Sequence, residues 1–151
     1  MFEGHITAGL PVSLTGQFSV QSKQALRGLE AWSNWVNRQG GIWVGDRGRK
    51  IPVRVCHYDD HSLSARTRDI TRQLLLEDKV DLLFGPYASS LALASAEVVS
   101  SQGGLLWNQG GALDTIHQRG YGWIISILMP ARTYLQGWPH LSTESYWSAS
   151  R

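Results

Sequence analysis

The chain has 151 residues, the length of one globular domain, which buries about 68–70% of its unfolded surface, and 42% of its residues are apolar and can supply a core. Fourteen Lys and Arg against twelve Asp and Glu leave a net charge of +2 with the signs interspersed. A nucleic-acid surface shows clustered basic residues, and the one basic turn, Asp46-Arg47-Gly48-Arg49-Lys50, reads as solvated. No run of about 18 apolar residues is present to span a membrane, and a single cysteine, Cys56, excludes an internal disulfide.

Residues 1–5, Met-Phe-Glu-Gly-His, carry neither a basic nor an apolar leader region, so no signal peptide is expected in this chain. Residues 6–14 are apolar and stop at Thr15-Gly16, a strand entering a turn. From Ser22 the period changes: Ala25, Leu29, Trp32 and Val36 share one face of a helix. Asn37-Arg38-Gln39-Gly40-Gly41 ends it with glycine available for a left-handed cap. The glycines of Gly40-Gly41-Ile42-Trp43-Val44-Gly45 follow a helix and read as turn residues. Ile51, Val53 and Val55 alternate, which predicts a strand over residues 51–58 with Cys56 as a buried thiol.

Ser62 or Ser64 is placed to cap a helix running to about residue 77, with Ile70 and Leu74 inward. Residues 80–84 form a short apolar strand stopped by Gly85-Pro86, and residues 89–100 an apolar helix. Leu105-Leu106-Trp107 is a further strand, residues 113–118 a weak helical turn and residues 123–127 a fifth strand. Residues 131–137 begin another helix that Pro139 would interrupt. The alternation predicts an α/β fold, a doubly wound parallel sheet with helices on both faces, over residues 1–137. Residues 138–151, Ser-rich and without periodicity, are expected to be an irregular tail, truncated or frame-altered.

Open parallel sheets bind ligands beyond the carboxyl ends of their strands, which directs attention to loops 13–21, 59–64, 85–90 and 108–114. The strongest is Gly85-Pro86-Tyr87-Ala88-Ser89-Ser90, where hydroxyls and helix-start N–H groups suit a carboxylate. The same serines also suit plain N-capping, and Tyr87 either lines a cleft or is a half-buried loop aromatic. His57-Tyr58-Asp59-Asp60-His61 has the residue types of a metal site. Adjacent acids at a strand end point apart, however, and no further ligands stand at suitable spacing, so no metal is expected. Asp59 or Asp60 is expected to accept backbone hydrogen bonds where the strand turns. No G-x-G-x-x-G, phosphate-binding loop or G-x-S-x-G elbow is present, and the histidines at 5, 57, 61, 117 and 140 are scattered. Nothing in these motifs makes a case for catalysis or for a cofactor.

The ordered series Leu10-Pro11-Val12-Ser13-Leu14-Thr15-Gly16, Gln24-Ala25-Leu26-Arg27-Gly28, Asn37-Arg38-Gln39-Gly40-Gly41-Ile42, Arg49-Lys50-Ile51-Pro52-Val53, Tyr58-Asp59-Asp60, Lys79-Val80-Asp81, Gly85-Pro86-Tyr87-Ala88-Ser89-Ser90 and Gln118-Arg119-Gly120-Tyr121 resembles the leucine/isoleucine/valine-binding proteins of ABC transporters, over residues 5–137. The resemblance implies the first lobe of a two-lobed, periplasmic or extracytoplasmic receptor that closes over a small-molecule ligand and serves an ABC permease. It implies that Ser89, with Ser90 beside it, holds the ligand carboxylate, that the family's backbone and hydroxyl contacts from the next loop fall at the positions of Gly110 and Ala112, and that an aromatic wall stands at the position of Gln21. Ala112 replaces the usual hydroxyl residue and Gln21 the usual aromatic, which puts leucine-type specificity in question. The family's acidic residue for the ligand ammonium belongs to a second lobe that these residues do not include. Three alternatives stand beside transport: a ligand-sensing regulatory domain for amides or amino acids, a flavodoxin-like enzyme or receiver domain, which the missing phosphate loop disfavours, and a non-functional gene fragment.

Overall fold

The computed structural model describes residues 4–134. The first strand, β1 (Ile6–Val12), is buried at all seven residues, as a central strand covered on both faces must be. Helix α1 (Ser19–Arg38) begins three residues before the apolar period does, and it turns Ser22, Leu26, Leu29, Ser33 and Val36 inward. The chain then makes an antiparallel hairpin, β2 (Ile42–Val44) with β3 (Arg49–Ile51), around a short 3-10 turn at Gly45–Arg47. The expected strand over 51–58 is therefore divided at Pro52: Ile51 closes the hairpin, and β4 (Val53–Asp59) joins the main sheet. Helix α2 (Ser64–Leu76), β5 (Leu82–Phe84), α3 (Ser89–Gln102), β6 (Leu106–Asn108), the one-turn α4 (Asp114–Gln118) and β7 (Ile124–Ser126) follow. A 3-10 turn, Ala131–Thr133, stands where a helix over 131–137 was expected, and the rest of that segment and the expected tail lie outside the described residues.

The five-stranded sheet has the order β4-β1-β5-β6-β7 and every pairing is parallel. Winding reverses at β1, whose neighbours are β4 on one side and β5 on the other, and this creates the crevice that open α/β sheets use. Even-numbered β1 residues, with Val53, Val55, Leu82 and Phe84, pack under α1 through Leu26, Leu29, Trp32 and Val36. The opposite face packs Leu83 and Leu106 against Ile70 and Leu74 of α2 and Ala96 and Val99 of α3. Helices thus cover both faces, and the alternation along each strand sorts the two cores.

Two asparagines tie the framework together. At the free edge, the Asn37 side chain donates to the Val53 carbonyl and accepts the Val53 N–H, both at 2.7 Å, and so satisfies the edge strand as a neighbouring strand would. Asn108, at the end of β6, makes a similar double contact with Gly111. The expected serine cap of α2 is absent. Leu63 occupies the cap position without a side-chain bond, and the Ser62 hydroxyl instead accepts the Phe18 N–H and donates to the Thr15 carbonyl. His61 and Ser62 achieve this in consecutive left-handed conformations, φ 54° and 61°.

Candidate functional site

The crevice at the carboxyl ends of β1 and β4 is built on two adjacent acids that serve different partners. Asp60, fully buried, accepts the Ser13 hydroxyl at 2.6 Å, the Ser62 N–H at 2.8 Å and the Thr67 hydroxyl at 3.3 Å. Asp59 accepts the N–H groups of Leu14 and His61 at 2.9 Å, the Thr15 N–H at 3.3 Å and the Thr15 hydroxyl at 2.8 Å. Its second oxygen also lies 3.1 Å from His61 Nδ1. Burial alone would raise the Asp59 pKa. The hydrogen bonds from the His61 N–H, the Thr15 hydroxyl and the Thr15 and Leu14 N–H groups outweigh it and hold the carboxyl below its ordinary value. Both carboxylates are thus engaged in fastening the β1 and β4 loops to each other, as expected of residues where a strand turns.

The loops after β5 and β6 meet a few residues away. Ala88 occupies the cap position of α3 with φ 81° and ψ 137° and no side-chain cap bond. That backbone geometry turns Ser89 away from its own helix and toward the following loop. The Ser89 Oγ accepts the Ala112 N–H at 3.1 Å and the Leu113 N–H at 3.3 Å. A serine oxygen has two lone pairs, so these two donors leave only the hydroxyl hydrogen for a further partner. Two of the three N–H groups of the 110–112 turn are engaged within the protein, since the Gly111 N–H goes to Asn108 and the Ala112 N–H to Ser89.

Gly110 is where the two loops touch most closely. A Cβ there would lie 2.5 Å from the Pro86 carbonyl oxygen and 2.6 Å from Tyr87 Cα, so only glycine fits. Gln109 adds a bond from its side-chain nitrogen to the Gly85 carbonyl. Tyr87 stands at the surface of this junction in edge-to-face contact with Phe18, the ring centroids 6.3 Å apart. Ser90 is exposed in the first turn of α3, and Gln21, exposed on α1, makes no side-chain hydrogen bond to the other candidate residues. Ser89, Ala112, Gly110 and Tyr87 therefore form one cluster, and Phe18 touches it through the Tyr87 ring.

A family model described as "Periplasmic binding protein" matches residues 5–138. The chain belongs to that family. The fold resembles that of LivJ, the branched-chain amino acid transporter substrate-binding protein of Streptococcus pneumoniae, solved with isoleucine: TM-score 0.72, 20% identity, 83% of this chain and 34% of that one. A putative branched-chain amino acid ABC transporter protein from Rhodospirillum rubrum superposes with a TM-score of 0.76 at 17% identity, over 94% of this chain and 39% of that one. A solute-binding protein from Rhodopseudomonas palustris, solved with 3,4-dihydroxybenzoic acid, gives 0.67 at 22% identity, over 82% and 32%. The chain spans about a third of the length of these proteins, and the described residues have the fold of a single lobe. The ligands named for the Streptococcus and Rhodopseudomonas proteins differ, an amino acid in one and an aromatic acid in the other.

Two residues of the cluster escaped the motif reading. Asn108 had a signal: an asparagine at a strand end with glycine following within three residues favours side-chain bonds to the local backbone. Phe18 lies in a loop without periodicity, and its contact is with a residue 69 positions on, 87 − 18. No local pattern encodes such a pairing.

Proposed function

We propose that the chain is the recognition lobe of a solute receptor of an ABC-type uptake system, located outside the cytoplasm, that holds the carboxylate of a small ligand and performs no chemistry on it. The observation that carries this reading is the polarity of Ser89. With both lone pairs filled by the Ala112 and Leu113 N–H groups, the hydroxyl can only donate, so it selects an acceptor such as a carboxylate oxygen. Ser90, exposed beside it at the start of the 14-residue α3, adds a second hydroxyl in the favourable potential of the helix N-terminus. Gly110 and Ala112 shape the floor, while Tyr87 and Phe18 supply an apolar rim and Gln21 a polar one.

That rim favours two ligand classes: a branched-chain amino acid, or an aromatic carboxylate that packs against the Phe18–Tyr87 pair. A nitrogen-15 NMR titration of the 151-residue chain with sodium benzoate and with L-isoleucine, carried to tens of millimolar as roughly the range one wall requires, tests both. The expected result is a saturable shift at the Ser89, Ala112 and Leu113 amides for one of the two, abolished by Ser89→Ala. If neither ligand moves those amides, or if Ser89→Ala leaves the shift intact, the carboxylate reading fails.

A further inference from the structure

The last residue of β6, Asn108, is fully buried and stands in register with Ser126 of β7. Its Oδ1 accepts the Gly111 N–H at 2.9 Å, and its Nδ2 donates to the Gly111 carbonyl at 2.7 Å and to the Ser126 hydroxyl oxygen at 2.9 Å. The polarity of the Gly111 groups is fixed, so only one orientation of the carboxamide satisfies both bonds. Gripping both polar groups of one residue sets the rotation of its peptide planes as well as their position.

The same turn is held from below by shape. A Cβ at Gly111 would lie 2.6 Å from Ala92 Cβ and 2.6 Å from Ile116 Cδ1, so the turn rests directly on α3 and α4. From that fixed Gly111 the next two N–H groups, those of Ala112 and Leu113, converge on Ser89 Oγ.

We propose that Asn108 is the positioning residue of this site: its carboxamide fixes the 110–113 turn so that two backbone donors occupy Ser89 and leave that hydroxyl as a donor to the ligand. The inference rests on the reading that Ser89 meets the ligand. Asn108 itself is buried and acts through the turn. An aspartate has the same shape but sets a carboxylate oxygen against the Gly111 carbonyl, so Asn108→Asp reverses the grip without removing volume.

Amide hydrogen exchange on the full chain, without ligand, tests this. Asn108→Asp is expected to speed exchange at Ala112 and Leu113 by about tenfold or more, with α1 and α2 amides changed by less than about twofold. Ser89→Ala should speed the same two amides by removing their acceptor. Because both substitutions break one shared arrangement, the double variant should exchange no faster than the faster single variant. Two effects that multiply would make Asn108 an independent structural residue and overturn the proposal. If Asn108→Asp does not fold, Ser126→Ala removes one of the three bonds and introduces no charge. It is then expected to speed the same amides by roughly threefold, and unchanged exchange there overturns the proposal. No ligand enters these measurements, so they stand or fall separately from the carboxylate titration.

Discussion

A single backbone angle aims the candidate site. Ala88 adopts φ 81°, a conformation that costs a residue with a Cβ ~1–3 kcal/mol, and it does so where α3 begins and Ser89 turns toward the β6 loop. Ala88→Gly removes that strain, against ~0.4–1 kcal/mol for the freer unfolded chain. The expected outcome is a net gain of about 1 kcal/mol in urea unfolding, with the Ser89 contacts unchanged. A destabilised variant would mean that the alanine methyl contributes packing that outweighs its strain. Asp59 makes a pH prediction with a definite sign. Its folded pKa lies below the ordinary value, so its contribution is complete above the unfolded pKa of about 3.9 and is lost as pH falls through the folded value. The stability gap between wild type and Asp59→Asn should therefore be widest near neutral pH and narrow as pH falls below the ordinary carboxylate range, read from denaturation midpoints. A gap independent of pH would show that the donors do not favour the charged form. At this scale the sequence was partly legible. Strand-end acids accepting backbone bonds follow from residue type, but the direction of the Ser89 hydroxyl depends on a φ value that no motif carries.

Elements were more legible, because side-chain period separates strands from helices before any tertiary contact is known. The Val53-Val55 alternation falls on a sheet strand and the Leu29-Trp32-Val36 face on a long helix, while Ile51, read as part of the same alternation, lies in the hairpin beyond Pro52. What escaped was the β2–β3 hairpin. Ile42–Val44 has only three residues between glycines, too few to show a period, and its pairing with Arg49–Ile51 is specified across a loop by register alone. The tie between α1 and the edge strand is likewise tertiary: Asn37 sits on a helix and satisfies both polar groups of Val53, which is 3% exposed. Asn37→Ala would leave the Val53 N–H without that partner and its carbonyl with only the longer 3.3 Å bond from Ser33. A loss of about 1–3 kcal/mol in urea unfolding is expected, against less than about 0.5 kcal/mol for the exposed neighbour Asn34→Ala. Equal effects at the two positions would mean that the edge strand does not depend on the helix for its hydrogen bonds.

At the scale of the whole molecule, the decisive quantity is how much of a ligand one lobe can enclose. Binding pockets bury about 70–90% of a small ligand, whereas the Ser89–Ala112 cluster, with Tyr87 37% exposed at its edge, is a wall open on one side. One charge-assisted hydrogen bond contributes about 1.5–3 kcal/mol, and association costs about 4–15 kcal/mol in lost freedom. Partial burial of one aromatic or aliphatic face adds roughly 1–2 kcal/mol. Gains of this size do not exceed the cost of association, so one open wall holds its ligand only at millimolar concentrations or above. Isothermal calorimetry of the 151-residue chain with L-isoleucine or sodium benzoate should therefore give no resolvable binding at micromolar concentrations, although the same ligand shifts the Ser89, Ala112 and Leu113 amides at millimolar ones. A micromolar constant would require enclosure from elsewhere, either in this chain or from a second copy of it, and sedimentation with and without ligand would separate those two. If the wall is joined to a facing lobe, the Ser89 hydroxyl becomes buried on closure. Its removal should then cost the full ~1.5–3 kcal/mol of a charged hydrogen bond, so the Ser89→Ala effect should grow with the enclosure of the ligand.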